Sequence, residues 1–252
     1  YMCLIVFAHH APPKYPFILL ANRDEHHERP AQQMDFWEEE LDLIGGRDLR
    51  AGGTWLAMNK SGSFAAVTNV RASAIQLNTK SKGHLPVDFL KSPQTNQAFM
   101  RGLQAQEINY NRFNFLTRKG NAFLHFNNQL GIINQVPAGM HGLCNASLNT
   151  SWPKLDKLNS RFKASIDKNI DNVTLLHLMM NKQMAEDKFL SETGITQEME
   201  RASSSIFINL PTYGTRSTTL ITIDNEGVVD LTEIIHHPKR KGNQKHFNFK
   251  II

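Results

Sequence analysis

Cys3 is the residue nearest the start of the chain that could act as a nucleophile. If Met2 is removed after synthesis, Cys3 carries both a thiol and a free α-amino group. Since an α-amine titrates at roughly 7.7 to 8.0, it can take the thiol proton at working pH, and the thiolate is the reactive form. We interpret Tyr1 as an addition before the natural start at Met2. The alternative is that Cys3 is a small buried residue at the start of a strand.

A cluster of charged residues follows the second apolar run of the sequence. Arg23 and Asp24 stand just beyond the predicted strand over 17–21. A guanidinium within about 4 to 6 Å of a thiol favours the thiolate, so Arg23 is a candidate to stabilise Cys3. Asp24 is a candidate to hold the α-amine. The alternative is a solvated turn, because a run of charged residues is not specific.

Further polar residues occur where predicted strands begin or end. Asn69 ends a predicted strand over 63–69, and Asn145 follows Cys144. A side-chain amide can donate a hydrogen bond to a developing oxyanion, so both asparagines are candidates for an oxyanion hole, with capping and turn roles as the alternatives. Arg216, at the entry to the last predicted hairpin, is a candidate second cation at the site. Its alternative is a surface position.

Two pairs of adjacent histidines, 26–27 and 236–237, invite a metal-site interpretation. Because adjacent residues on a strand point to opposite faces, such pairs bind one ion poorly, and we expect no metal site and no cofactor. The two cysteines, Cys3 and Cys144, match no zinc-site spacing and are too few for a disulfide framework. They favour a reducing compartment, which we expect to be the cytoplasm.

The chain carries a formal net charge of +5. Part of that charge lies in residues 236–241. The excess is modest, and no basic motif with interleaved aromatic residues is present, so we expect a solvated basic tail rather than a nucleic-acid surface. An anionic ligand is the remaining alternative. No run approaches the roughly 20 apolar residues of a membrane span.

Hydrophobic periodicity predicts hairpins, then helices, then a closing hairpin. The predicted strands cover 3–8, 17–21, 55–59, 63–69, 114–117, 122–126, 130–135, 219–224 and 228–234. Three of the hairpin turns contain Gly62, Gly120 and Gly227, at or near the position that requires positive φ.

Helices are predicted over 86–91, 95–105, 152–166 and 172–179. Ser151 is the expected N-cap of the third helix, with Pro153 in its first turn, and Asn172 is the expected cap of the fourth. The polar residues 185–205 are interpreted as a mobile surface segment. Hairpin sheets covered by pairs of helices give a layered α+β domain.

Several short blocks, taken together, resemble the NRDE family, which is named for the four residues found here at 22–25. The blocks are 2–5, 20–25, 29–30, 52–56, 65–69, 142–146, 152–154 and 213–216. They run in order from residue 2 to about residue 235 and so cover nearly the whole chain. The eukaryotic relatives of this family are the transport and Golgi organisation proteins.

The resemblance implies a single domain over 1–252 with the four-layer αββα fold of N-terminal-nucleophile hydrolases, nearest the penicillin V acylases and bile salt hydrolases. The implied catalytic residues, in the roles considered above, are Cys3, Arg23, Asp24, Asn69, Asn145 and Arg216. From the same blocks, we expect Asn22, Trp55 and Tyr213 to bind substrate.

The implied activity is hydrolysis of an amide or thioester of a small, partly apolar substrate. The alternative is a non-catalytic protein on the same scaffold that handles haem or lipid in trafficking. In both cases the expected partner is a small molecule (an acyl compound, a lipid or haem). The resemblance also implies that eukaryotic relatives are associated with the Golgi or the mitochondrion.

Overall fold

The computed structural model describes residues 3–10, 15–71, 79–106, 110–168, 171–190, 196–237 and 240–252. Within these ranges the chain has two β-sheets, five α-helices and one short 3-10 helix, which confirms the predicted α+β class. None of those helices is long and apolar enough to cross a membrane. Residue contacts divide the chain into two compact units. Unit 1 is Tyr1–Glu28 with Ala138–Asn248, and unit 2 is Arg29–Pro137 with Phe249–Ile252.

Unit 1 is built on a six-stranded sheet in the order β10-β1-β2-β11-β12-β13. Its strands are β1 (Cys3–His9), β2 (Phe17–His26), β10 (Gly139–Leu143), β11 (Tyr213–Ile223), β12 (Val228–His237) and β13 (Arg240–Lys250). Its helices are α3 (Pro153–Asp167), α4 (Asn172–Leu178), the 3-10 helix (Asp187–Phe189) and α5 (Gln197–Ser203).

Helices cover one face of this sheet because alternate strand residues and one stripe of each helix are apolar. Leu4 and Leu20, on neighbouring strands, belong to the same buried cluster as Leu158 and Phe162 of α3. Full burial of such side chains contributes roughly 1.5–3 kcal/mol each. The buried stripe predicted for the third helix is therefore confirmed.

Unit 2 is built on a seven-stranded antiparallel sheet in the order β3-β4-β5-β6-β7-β8-β9. Its strands are β3 (Ala31–Trp37), β4 (Glu40–Asp48), β5 (Leu56–Asn59), β6 (Phe64–Asn69), β7 (Phe113–Lys119), β8 (Ala122–Asn127) and β9 (Ile132–Gln135). Its two helices, α1 (His84–Lys91) and α2 (Asn96–Ala105), pack on the face that carries Val67 and Phe115.

The other face of this sheet carries a polar group that we call the unit 2 polar cluster: Thr68, Asn114, His125 and Asn127. All four side chains are buried. The Asn114 Oδ1 atom accepts hydrogen bonds from His125 Nε2 and Asn127 Nδ2, both at 2.9 Å, and Asn114 Nδ2 donates to Thr68 Oγ1 at 3.3 Å. Burial lowers the pKa of His125 to about 4, so this cluster is electrically neutral at pH 7.

Both predicted helix caps are wrong by one residue. Trp152, with extended backbone and no side-chain cap, precedes α3, whereas Ser151 donates a hydrogen bond to Asp156 at 2.6 Å. The N-cap of α4 is Asp171, whose carboxylate accepts from the Thr174 backbone N–H at 2.9 Å. Pro153 occupies the first turn of α3 as predicted, because a proline there lacks only an N–H that has no helical partner.

The predicted hairpins over 55–69, 114–126 and 219–234 are confirmed, and Gly62, Gly120 and Gly227 all have positive φ. The basic residues at 236–237 and 240–241 lie in strands rather than in a tail, because β12 ends at His237 and β13 begins at Arg240. Their solvation stays a prediction, and residues 238–239 lie outside the described ranges. The described part of the segment 185–205 contains the 3-10 helix and α5, and its mobility stays a prediction. Residues 191–195 of that segment lie outside the described ranges.

Candidate active site

Three neighbouring strands of unit 1 bring Cys3 and the two predicted arginines together. Cys3 of β1 is paired with Arg23 of β2, and Arg23 is paired with Ser217 of β11. Side chains of directly paired residues point to the same face with Cβ atoms about 5 Å apart. The sequence pattern did not reveal this pairing, which sets Cys3 beside Arg23.

The Cys3 thiol is buried, with 7% of its surface exposed. Burial raises its pKa to about 12, and the negative charge of Asp24 adds to this rise. The positive charge of Arg23 and a hydrogen bond from the Asp24 backbone N–H oppose it, because both favour the thiolate. The thiol of this continuous chain is therefore protonated at pH 7. Tyr1 and Met2, on which a free α-amine depends, lie outside the described residues.

Arg216 approaches the site through a β-bulge in β11. Thr215 is paired with Asp24 and Ser217 with Arg23, so Arg216 is the extra residue between them. Its Nη1 donates to the carbonyl oxygens of His26 at 2.7 Å and His27 at 3.2 Å. Burial and the nearby charge of Arg23 lower the Arg216 pKa, while Glu25 raises it. The two predicted arginines are thus close enough to influence each other.

Glu25 is a further charged residue of this group that the sequence analysis did not single out. It is buried, and its Oε2 lies 3.9 Å from Arg23 Nη2. Its Oε1 accepts a hydrogen bond from the His26 backbone N–H at 2.8 Å. The charges of Arg23 and Glu25 both act on the Cys3 thiol, and the same two residues act on Arg216. The adjacency of Glu25 to Arg23 and Asp24 in the sequence was the available signal.

Asp24 lies on the helix-covered face of the sheet and is 1% exposed. Its Oδ1 accepts a hydrogen bond from Thr215 Oγ1 at 2.6 Å, and Thr215 Oγ1 accepts one from the Ile208 backbone N–H at 2.9 Å. Burial raises the Asp24 pKa to about 7, opposed by the charge of Lys154 and the Thr215 hydrogen bond. Among the described residues, its Oδ2 has no hydrogen-bond partner.

The strand register relates this carboxylate to the main chain of Cys3. Strands β1 and β2 are antiparallel and Cys3 is paired with Arg23, so the backbone nitrogen of Cys3 faces the direction in which β2 continues to Asp24. The Asp24 side chain itself points to the opposite face from the thiol. Its carboxylate is therefore better placed for the nitrogen of Cys3 than for the sulfur.

Asn145 follows β10, the other neighbour of β1. Ile5 is paired with Leu143, and this register continued by two residues would set Asn145 opposite Cys3. Asn145 is buried, and its Oδ1 accepts a hydrogen bond from Cys144 Sγ at 3.1 Å. Of its two side-chain polar groups, only the Nδ2 amide can donate a hydrogen bond, as an oxyanion requires.

Asn22 has no polar group that faces solvent. Its side chain is fully buried, and Nδ2 donates to the carbonyl oxygens of Met179 at 2.9 Å and Ile206 at 3.0 Å. Its Oδ1 accepts from Thr218 Oγ1 at 2.7 Å. These bonds tie the end of α4 and the segment before β11 to the sheet, which is a structural role.

Tyr213 lies at the start of β11, paired with His26. Its ring is buried and meets the His26 ring edge-on, with centroids 5.3 Å apart. Tyr213 also packs against Ile208, whose backbone supports Thr215.

Asn69 and Trp55 belong to unit 2. Asn69 ends β6, where its Oδ1 accepts a hydrogen bond from Lys82 Nζ. Strand alternation sets its side chain on the same face as Val67, which the helices of unit 2 cover. Trp55 precedes β5 and is partly buried, and its carbonyl oxygen accepts from the Val67 backbone N–H at 2.8 Å.

Fold and site together define an α+β protein whose first strand pairs a buried cysteine with an arginine. The sequence profile of the family described as Transport and Golgi organisation 2 matches residues 2–238, and this chain belongs to that family. The chain is 29% identical over 255 residues to the Transport and Golgi organization protein 2 homolog of Homo sapiens, and 30% identical over 254 residues to that of Bos taurus. Each match covers 92% of both chains. Identity to Transport and Golgi organization protein 2 of Drosophila melanogaster is 23% over 260 residues, or 92% and 91% of the two chains.

Two solved structures resemble this chain at low sequence identity. One is a mutant of conjugated bile acid hydrolase from Clostridium perfringens, at 8% identity and a TM-score of 0.49, covering 99% of this chain and 97% of that chain. The other is the Caenorhabditis elegans ortholog of N-acylethanolamine-hydrolyzing acid amidase, at 10% identity and a TM-score of 0.46, covering 87% and 92%.

Proposed function

We propose that this protein, when Cys3 is its first residue, is an N-terminal-nucleophile hydrolase that cleaves an amide or thioester of a small, partly apolar substrate. One observation carries the proposal: Cys3 is paired with Arg23, and the next residue along β2, Asp24, has a buried carboxylate oxygen without a described partner. A free α-amine on Cys3 would supply the missing cation for that oxygen. The same amine would supply the base that the thiol lacks.

The proposed reaction has two stages. The α-amine takes the thiol proton, and the thiolate attacks the carbonyl carbon of the substrate. The tetrahedral intermediate then expels an amine or thiol, which leaves with the proton held by the α-ammonium group. Water next attacks the acyl-cysteine and gives up a proton to the α-amine. The second tetrahedral intermediate then breaks its C–S bond, the α-ammonium group returns the proton to the Cys3 sulfur, and a carboxylic acid is released. The charges of Arg23 and Arg216 favour the thiolate, and the amide of Asn145 is the proposed oxyanion donor.

A residue before Cys3 removes this mechanism, because a peptide nitrogen is not a base. With the thiol pKa at about 12, roughly one molecule in ten thousand or fewer carries a thiolate at pH 7.5. We therefore expect the chain that begins at Tyr1 to be inactive. A free ammonium group beside Cys3 lowers the pKa of its thiol, so the form that begins at Cys3 should react readily.

The test compares the two forms of the protein. Intact mass first verifies that one begins at Tyr1 and the other at Cys3. Both are then assayed with an octanoyl anilide and an octanoyl thioester, and labelled with an acylating β-lactone. Peptide mapping assigns the label to Cys3 or to Cys144, the other free cysteine.

We expect turnover and Cys3 labelling only in the form that begins at Cys3, with both lost on Cys3→Ser. Turnover by the Tyr1-bearing form that is lost on Cys3→Ser would contradict the proposed mechanism. So would an absence of both turnover and labelling in the Cys3-first form.

A second candidate is a non-catalytic lipid- or haem-handling protein, favoured by the neutral, buried thiol of the continuous chain. The names of the relatives, which refer to transport and Golgi organisation, fit this candidate. It predicts ligand binding that survives Cys3→Ala, measured as quenching of tryptophan fluorescence by haemin or by a fluorescent fatty acid. Loss of all binding in that variant would count against it.

For both candidates we propose a reducing compartment such as the cytoplasm. Cys3 and Cys144 are both free and buried, and free thiols persist where glutathione and thioredoxin keep them reduced.

A further inference from the structure

Lys154 occupies an unfavourable place for a cation. It lies in the first turn of α3, directly after Pro153, and is only 4% exposed. The N-terminus of a helix carries partial positive charge, which disfavours a neighbouring ammonium group. Burial of a charge is also costly unless the charge is paired. A compensating negative group is therefore expected close to Lys154.

The described hydrogen bond of Lys154 does not supply that compensation. Its Nζ donates to the Ser203 carbonyl oxygen on α5 at 2.9 Å. An ammonium group has three N–H donors, and a neutral carbonyl oxygen uses one of them without cancelling the charge. Asp156, the acidic residue in the same helical turn, is exposed and accepts a hydrogen bond from Ser151.

Asp24 has the complementary deficiency. Its carboxylate is buried beneath the helices, Thr215 occupies Oδ1, and Oδ2 has no partner among the described residues. The charge that most strongly favours its ionised form is that of Lys154, ahead of Arg23. Glu200, one turn before Ser203 on α5, is the other buried carboxyl group on this side of the unit 1 sheet.

We propose that Lys154 is a positioning residue that keeps Asp24 ionised, so that the carboxylate can hold the α-amino group of Cys3. This inference rests on the proposed function for the role of the amine. The electrostatic link between Lys154 and Asp24 is independent of that role. Lys154 acts through Asp24 and touches neither the thiol nor the substrate.

Loss of the Lys154 ammonium group should raise the pKa of Asp24. With Lys154 present, the Asp24 pKa is about 7, so the carboxylate is largely ionised at pH 8. Without the ammonium group, the Asp24 pKa rises further, because burial then acts with less opposition. In a variant that lacks the Lys154 ammonium group, the Asp24 carboxyl group would thus be protonated at pH 7.5. The acid limb of Cys3 reactivity would shift to higher pH.

The test uses Lys154→Met, which keeps an unbranched apolar stem, and Lys154→Arg, which keeps the charge. Carbon-13 NMR of the Asp24 carboxyl group follows its titration in the Tyr1-bearing chain, where no catalysis is required. The pH dependence of β-lactone acylation is measured in the Cys3-first form. We expect Lys154→Met to raise both midpoints by about one pH unit or more. Lys154→Arg should leave both near those of the unsubstituted protein.

A matched control is Glu200→Gln, which removes the other buried carboxyl group and should leave the Asp24 midpoint in place. An unchanged Asp24 midpoint in Lys154→Met would overturn the inference, as would an equal shift in Glu200→Gln. If no form acylates but the Asp24 midpoint still shifts, the proposed function fails and the charge link is supported. If acylation proceeds with the same pH profile in Lys154→Met, the inference fails and the proposed function stands.

Stability provides a second readout should Lys154→Met fold poorly. That variant leaves a buried carboxylate without its cation, so adding Asp24→Asn should raise its urea midpoint at pH 8. An effect of Lys154→Met that is the same size with and without the Asp24→Asn substitution would show no coupling and would overturn the inference.

Discussion

The two sheets bury polar side chains in opposite ways. The unit 2 polar cluster consists of two amides, a hydroxyl and a neutral imidazole, linked through Asn114. Its counterpart in unit 1, which we call the unit 1 polar cluster, comprises Asn22, Asp24, Lys154, Thr215 and Thr218. That cluster contains a buried carboxylate and a buried ammonium group. The unit 2 polar cluster contains only groups that stay neutral, whereas the unit 1 polar cluster also contains groups that carry charge.

This difference determines what each cluster can do near pH 7. Burial holds the pKa of His125 at about 4, so the unit 2 polar cluster gains a proton only as the pH falls towards 4. The same physical cause, burial, brings the Asp24 pKa to about 7. Burial disfavours the charged form in both cases. Burial therefore keeps the neutral groups of unit 2 uncharged, whereas it brings the pKa of the Asp24 acid close to the pH at which proton transfer is useful.

The largest expected effect is that of Asn114→Ala in unit 2. The change leaves His125, Asn127 and Thr68 buried without their shared partner, and each such loss costs about 1–3 kcal/mol. We expect urea unfolding to show about 4 kcal/mol of destabilisation. The matched control is Asn134→Ala on the neighbouring strand β9, where the side chain is exposed. Equal losses in the two variants would contradict the central role of Asn114.

Asp24→Asn tests the charged cluster of unit 1 through the pH dependence of stability. The Asp24 pKa is about 7 in the folded chain against 3.8 for the ordinary side chain. The stability due to its protonated form is therefore complete below about 3.8 and is lost as the pH rises through 7. Relative to the unsubstituted protein, Asp24→Asn should gain on the order of 4 kcal/mol between pH 4 and pH 9. Urea midpoints that run parallel over this range would refute the expectation.

His125→Gln should show the opposite slope. The His125 pKa is lowered to about 4 from 6.5, so stability due to the neutral ring is present above 6.5 and is lost as the pH falls towards 4. Between pH 7 and pH 4, the unsubstituted protein should lose about 3 kcal/mol relative to the variant. The measurement is urea unfolding at several pH values. An equal loss of stability in the unsubstituted protein and in His125→Gln would mean that other residues cause the acid sensitivity.

The smallest expected effect comes from a charge pair at the surface of unit 1. Lys163 and Asp167 of α3 lie one turn apart, with Nζ 2.9 Å from Oδ2, and both side chains are mostly exposed. Lys163→Ala should change stability by no more than about 0.5 kcal/mol in thermal unfolding. A loss several times larger would mean that surface charge matters as much here as the buried charge of Lys154.

The sequence predicted those helices and hairpins that are specified by residues close together in the chain. Hairpin turns with Gly62 or Gly227 were predictable because positive φ favours glycine. The buried stripe of α3 followed from helical periodicity. Strand β4 escaped prediction partly because Gly45 interrupts its β-forming residues. A Cβ atom at Gly45 would lie 2.8 Å from the Ala57 Cβ, so the close approach of β5 explains the glycine only once the pairing is known.

The candidate site was predictable in its residue types but not in its geometry. Cys3 and Arg23 are chemically conspicuous in the sequence, yet their pairing depends on a strand register that no local pattern fixes. Lys154 stood in a motif block without an assigned role, because its burial is set by α3 and α5 together. Asn22 was expected to bind substrate, and only the folded structure reveals that Met179, Ile206 and Thr218 engage its polar atoms.

The extra residue at Arg216 has a consequence for the geometry of strand β11. Strand β11 pairs with β2 in one register before Arg216 and in a register shifted by one residue after it. Because Arg216 is the residue between these two stretches, its side chain occupies a position that the regular ladder of β2 and β11 does not have. Removing the insertion would instead leave a continuous ladder, because Thr215 and Ser217 would be consecutive and already pair with the consecutive residues Asp24 and Arg23. The bulge thus adds one side chain to this strand and keeps the pairing of β11 with β2 on both sides of it.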